Sequence, residues 1–256
     1  MRSNNLQTIY VMWLREMKRF LRAKSRVIGT LIMPFFFLFS LGFGFGSRFS
    51  LPGMPQGTNY LDFLVPGIVG MTMLFTSIFA GISVLWDKEF CFLKEIMVAP
   101  VSRTTIVLGR IAGGITTALI QGILILITSI FIGFHITNLF NVILALLFMI
   151  LIGIGFIGFG VAVASKMEDT QGFSLIMQFV VFPLFILSGA LAPTTNFPPW
   201  LKIIAHLDPL TYGVDGLRAA LIGFSQFHIS LDLSILLIFS LSMVILGSWL
   251  FNKTEV

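Results

Sequence analysis

Charge is scarce in this sequence: Asp, Glu, Lys and Arg make up 11% of 256 residues, where soluble domains carry roughly 25%. A water-soluble domain of this length is thereby excluded, because its surface needs charged groups that the chain does not have. There is one cysteine, Cys91, which rules out an internal disulfide framework and the usual multi-cysteine zinc sites. The three histidines, His135, His206 and His228, have no second ligand at metal spacing, and no His-Glu-x-x-His helix occurs. The dipeptide Gly-Lys is absent as well, so the phosphate-cradling loop of a nucleotide site is not present. From these absences the chain is expected to be no enzyme and to bind no cofactor of its own. Work done by such a protein must draw its energy from a partner.

What the chain has instead is apolar length. Hydrophobic residues make up 57% of it, with 28 Phe and a mean hydropathy of +0.99, the composition of a protein whose solvent is a bilayer. A span needs about 20 apolar residues in helix, and charge-free stretches of that length fall into six places. The first lies between Arg26 and Arg48, the second between Asp62 and Asp87, and the sixth between Asp232 and Lys253. Between Arg110 and Lys166 no charged residue occurs, which fits two helices turning at His135 to Asn141. A fifth run covers about 171–191, on the same span length, and breaks at Ser188, Gly189 and Pro193. The reading is an all-α integral membrane protein with six transmembrane helices in a single domain, 1–256. Residues 1–26 form an interfacial helix, 27–252 the bundle and 253–256 a tail.

The net charge of +5 is topological and gives no reason to expect nucleic acid. Lys and Arg flank the apolar runs, and cytoplasmic segments hold their excess. With the N-terminus inside, thirteen of the 16 Lys and Arg fall in inner segments and three, Arg48, Lys202 and Arg218, in outer ones. Both termini are therefore expected in the cytoplasm, in the cell membrane. Charges such as Arg15 and Lys18 precede the first apolar run, so no cleavable signal peptide is expected. Leu6, Ile9, Trp13, Met17 and Phe20 recur at helical spacing opposite Arg15, Lys18, Arg19 and Arg22, the pattern of a helix lying in the lipid interface. Gly109 with Gly113, and Gly153 with Gly160 and Ala164, permit close helix packing inside the bundle.

The loop after the second span carries the most information. Phe90, Leu93 and Met97 share a helical face, Pro100 stops that helix, and Ser102 is placed to cap the next. By pattern alone such a helix either docks a cytoplasmic partner or rests on lipid. The string Asp87-Lys-Glu-Phe-x-Phe-Leu-Lys-Glu-Ile-x-Val-Ala-Pro-Val-Ser-Arg103 resembles the corresponding loop of ABC-2 type transporter permeases. Three later stretches resemble that family's C-terminal signature: Pro183 to Pro193, Phe-Pro-Pro-Trp-Leu at 197–201, and Pro209 to Arg218. Cys91 departs from the glycine expected there.

The resemblance implies the membrane subunit of an ATP-binding-cassette exporter, with two permease copies and two separate ATPase subunits that bind the ATP and Mg. It assigns ATPase coupling to Glu89, Phe90, Leu93, Lys94, Glu95 and Pro100. Ser188, Gly189, Pro193, Pro209, Tyr212, Asp215 and Arg218, with Asp208, fall in short re-entrant or interfacial helices before span six. They either gate the outer mouth or satisfy the polar groups of that segment. The cargo expected is an amphipathic small molecule, a lipid or a glycan. The rival reading is a membrane assembly or scaffold protein without transport, separated from the first by whether an ATPase co-purifies.

Overall fold

The computed structural model describes residues 5–45, 59–90, 101–137 and 141–253. They are helical, in this order: α1 (Asn5–Arg22), α2 (Lys24–Phe45), α3 (Tyr60–Gly81), α4 (Ser83–Glu89), α5 (Arg103–Ile132) and α6 (Asn141–Lys166). There follow α7 (Thr170–Ile176), a π-helical turn (Met177–Val181), α8 (Phe182–Leu187), a 3₁₀ turn (Thr194–Asn196), α9 (Pro199–Leu207), α10 (Pro209–Ile222) and α11 (Ile229–Asn252). Among the described residues, six segments are long and apolar enough to cross a membrane: Val27–Gly44, Tyr60–Glu89, Arg103–Ile132, Asn141–Lys166, Thr170–Leu187 and Ile229–Asn252. The six expected spans are therefore present.

Burial sorts them. The most apolar stretch of α3 and α4 is 83% buried, whereas those of α2, α7–α8 and α11 are each 17% buried. α3 is the axis, packed against α2, α5, α6 and α10, and α6 bridges it to α11. The lightly buried helices keep Phe36, Phe43, Phe179, Ile238 and Ile245 exposed, side chains that only lipid or another apolar surface accommodates.

The helices also run past the charges that bracketed the spans in the sequence. α3–α4 and α5 each extend 30 residues, about 45 Å at 1.5 Å per residue, against a hydrocarbon core of about 30 Å. Asp87, two residues from the end of α4, and Arg110, two turns into α5, thus sit on overhanging helix rather than in loops. Asp232 lies in the first turn of α11. Ser102 caps α5 as expected, accepting from Thr105 N.

Helix α1 does not lie apart from the bundle. Its Met12 and Glu16 pack into the notch made by Gly109 and Gly113, where an added Cβ would come within 2.6 Å of each side chain. The glycine pair thus receives the N-terminal helix rather than another span. The Trp13 indole donates to Thr116 Oγ1 at 3.0 Å. A single residue, Ala23, separates α1 from α2, and the hydrogen bonds Ala23 N to Arg19 O and Val27 N to Ala23 O carry the ladder through the elbow.

The fifth span is the irregular one. Pro183 has no N–H to give and crowds the preceding turn. The π turn just before it absorbs the misfit, with Phe182 N donating five residues back to Met177 O.

A candidate site of two polar clusters at opposite ends of the bundle

The first cluster lies at the end that carries α1, and Asp87 is its centre. One carboxylate oxygen accepts from Arg15 at 2.7 Å and the other from Arg110 at 2.5 Å, while Arg19 stands 3.9 Å away. Asp87 is 5% exposed and Arg110 2%, so both charges are desolvated and each needs the other. Arg110 also donates to Ser83 Oγ at 3.1 Å, and the Arg19 guanidinium stacks over Trp86 at 5.2 Å. Three segments, α1, α4 and α5, meet on one carboxylate. The same end holds Lys88 Nζ on Met167 O and Arg103 Nη1 on Asn252 O.

The coupling residues expected from the loop begin here. Glu89 is the last residue of α4 and Phe90 follows it, 80% exposed, three residues beyond the pinned Asp87. Leu93, Lys94, Glu95 and Pro100, with Cys91 and Met97, lie outside the described residues.

The second cluster lies at the opposite end and gathers the residues expected there. Ser188, 1% exposed, donates to Phe185 O as α8 ends. Gly189 follows at φ +76, a conformation glycine adopts without a Cβ penalty. That turn presents Gly189 O and Ala190 O to the Arg218 Nη2 at 2.7 and 3.2 Å, while Nε reaches Phe63 O at 3.3 Å. The guanidinium lies 3.6 Å from the centroid of the Phe63 ring, and Gly67 leaves the room that Ala190 occupies. Tyr60 closes the same junction by donating to Leu191 O.

Asp215 accepts from Gln226 N and Phe227 N at 2.9 Å, fastening the link between α10 and α11. Tyr212 donates to His206 O at 2.8 Å and leans on Phe227. Pro193 starts the 3₁₀ turn, whose Thr194 hydroxyl meets Gln226 Oε1, and Pro209 stands first in α10. Asp208 caps that helix by accepting from Leu210 N, and burial pushes its carboxyl up to about 7. Helix α10, 14 residues or about 21 Å long, is too short to cross yet is buried among α3, α6 and α11.

The sequence counts Arg218 among the outer charges and leaves it either gating the outer mouth or satisfying that segment's polar groups; at 2% exposure it is a buried bridge among main-chain carbonyls. The Asp87 cluster was missed because Asp87 and Arg110 were read only as span markers. Their being opposite charges at facing ends of consecutive spans was the available signal. A third polar junction was also missed. Gln121 Oε1, inside α5, accepts from Thr76 at 2.6 Å and Thr30 at 3.2 Å, and uncharged residues within apolar runs carry no such warning.

Comparison with known proteins agrees with this architecture. The profile of the ABC-2 type transporter family matches residues 7–222. Over 232 residues, 89% of the chain and 88% of the relative, it is 28% identical to the inner membrane transport permease YadH of Escherichia coli K12. A ycf38 transport permease of Cyanophora paradoxa is 27% identical over 261 residues, 97% of this chain and 89% of that one. Nodulation protein J of Rhizobium meliloti is 25% identical over 233 residues, covering 90% and 87%. The family match takes in Asp87, Arg218 and five of the six spans, and the chain belongs to the ABC-2 type transporter family, as a multi-pass membrane transporter subunit.

Proposed function

We propose that the chain is the permease of an ATP-driven exporter, moving an amphipathic small molecule, lipid or glycan outward while a separate subunit hydrolyses ATP. The observation that carries this reading is the pairing of a pinned carboxylate with an exposed aromatic. Asp87 is locked to α1 and α5, and three residues on, Phe90 projects 80% exposed. A large apolar side chain on an immobilised helix end is the kind of anchor that a partner pocket accepts. Movement imposed on it passes to Asp87, and from there to the N-terminal helix and the third span. The loop from Glu89 through Leu93, Lys94, Glu95 and Pro100 is the coupling element, two copies of the permease meet two ATPase subunits, and the cluster around Arg218 is a rigid packing cap rather than a gate.

The test is co-purification of the ATPase with tagged full-length chain from native membranes. Phe90→Ala and Leu93→Ala are expected to lower the ATPase recovered more than Lys94→Ala does, because a buried anchor outweighs a solvated charge by about 2 kcal/mol. Equal recovery by all three variants removes the loop from the coupling role. Orientation is tested in a Cys91→Ser background. Leu207, 79% exposed at the Arg218 end, once changed to Cys is expected to label from outside the cell. Labelling only after the membrane is opened would invert the topology.

A further inference from the structure

Beside the elbow, among α1, α2, α3 and α5, lies a pocket of about 40 Å³. Phe20 and Phe79 wall it, yet Glu16, Arg19, Thr30, Thr76, Thr117 and Gln121 line it too. Three of these bring unused hydrogen-bonding groups. Glu16 Oε1 and Arg19 Nη1 are buried without a hydrogen-bond partner among the described residues, the latter 3.9 Å from Asp87. Gln121, 2% exposed, accepts from Thr76 and Thr30 through Oε1, and its Nε2 donates to none of the described residues. Buried groups of this kind call for partners, and the three together define what a partner has to offer.

A carboxylate needs a donor, whereas a guanidinium and an amide N–H need acceptors; a hydroxyl is the smallest group that is both. One acid and one base leave the pocket without net charge, so an anion is repelled by Glu16 and a cation by Arg19. The polar groups are spread along α5, because Glu16 packs at Gly113 and Gln121 stands two turns further on, about 12 Å. More than one hydroxyl is needed to serve them, and at about 10–15 Å³ for each water-sized group the pocket takes roughly three.

Phe79 also walls an apolar cavity of about 420 Å³, with Met33, Phe75, Met177 and Phe182. Met33 follows Thr30 by one turn on α2, and Phe75 adjoins Thr76 on α3, so the cavity neighbours the pocket on its membrane-interior side. A small polar pocket beside a larger apolar one fits an amphiphile, with the head in the first and the chain in the second.

We propose that this pocket binds the head of a neutral polyhydroxylated amphiphile, a polyol or sugar carried on an acyl chain, through Glu16, Arg19 and Gln121. The proposal deepens the export reading by naming a class of cargo and rests on that reading for the cargo role; the binding itself does not involve the loop at Phe90.

Photolabelling of the full-length chain in phosphatidylcholine vesicles tests it. The probe is a monoacylglycerol with a diazirine near the end of its chain; the controls are the same lipid with both hydroxyls methylated and with one phosphorylated. The monoacylglycerol is expected to label peptides carrying Met33, Phe75 and Phe182, and each control to label them about tenfold less. Gln121→Met and Glu16→Leu are expected to lower monoacylglycerol labelling about tenfold and to leave the methylated probe unchanged, whereas Glu16→Gln, which keeps an oxygen in place, retains most of it. A misfolded variant lowers both probes together, so their ratio separates a lost contact from a lost fold. Equal labelling by the three probes in the parent, stronger labelling by the phosphorylated one, or an unchanged ratio in both Gln121→Met and Glu16→Leu overturns the proposal. On the complex with its ATPase, monoacylglycerol is expected to change ATP hydrolysis in the parent and not in Gln121→Met. Labelling without that change overturns the cargo role, whereas a chain that binds the probe but brings down no ATPase overturns the export reading instead.

Discussion

The two ends of the bundle bury arginine by opposite means. At the α1 end, Arg110 on α5 is neutralised by Asp87 on α4, the helix before it, and Asp87 shares itself with Arg15. At the α10 end, Arg218 is held by the carbonyls of Gly189, Ala190 and Phe63 and by the face of a ring. A side-chain pair joins segments that are free to move relative to one another, since either partner can rotate and re-form the contact. A guanidinium wedged among main-chain carbonyls ties helices at the level of the backbone, with little freedom left. The first arrangement suits an end that receives motion; the second suits an end that stays closed.

The sharpest way to break this contrast is to remove one charge at a time. Asp87→Asn leaves Arg110 and Arg15 without their counter-charge, and stripping a buried pair of one partner costs about 3–5 kcal/mol. The largest loss of thermal stability in detergent is expected there. Asp87→Leu combined with Arg110→Leu removes both charges and is expected to recover much of it. No such second-site repair is expected at the other end. Arg218→Met leaves two turn carbonyls unpaired for about 2–3 kcal/mol, and Arg218→Lys recovers only part, since an ammonium lacks the fork that spans Phe63, Gly189 and Ala190. If the Leu pair fails to rescue, or the Arg218→Lys variant is fully stable, the distinction between the ends collapses.

These residues also show what was legible beforehand. Six spans, the α1 amphipathic pattern and the Ser102 cap follow from apolar run length, helical periodicity and hydroxyl placement, which are local properties. The proline- and glycine-marked segment before span six was legible as irregular backbone. Its organisation around Arg218 was not, because the carbonyls that hold the guanidinium carry no residue type to read. The Asp87 cluster is a tertiary pairing between residues 15, 87 and 110, too far apart in sequence for periodicity to report. The π turn was hidden for another reason: Pro183 announces a disturbance, but whether a helix kinks, breaks or widens depends on its neighbours.

A smaller effect separates the two ends by pH. Asp208 has its carboxyl raised from 3.8 to about 7, chiefly by burial, with the Leu210 N–H opposing. Because the folded state favours the protonated acid, the stability it contributes is full below 3.8 and lost as pH rises through about 7. Asp208→Asn keeps the acceptor that caps α10 and removes the titration. The variant is expected to flatten the decline in thermal stability over that window, and an unchanged profile would assign the decline to another group.

Whether the α1 end is the one that receives the partner's motion is tested most directly by tagging the full chain in its native membrane and measuring the ATPase activity that co-purifies. The comparison is Phe90→Ala against Arg218→Lys at matched expression. Phe90→Ala, which removes an exposed anchor and disturbs no buried contact among the described residues, is expected to lose most of the associated activity, while Arg218→Lys retains it despite lower thermal stability. Retention by Phe90→Ala together with loss by Arg218→Lys would contradict the assignment of motion to the α1 end.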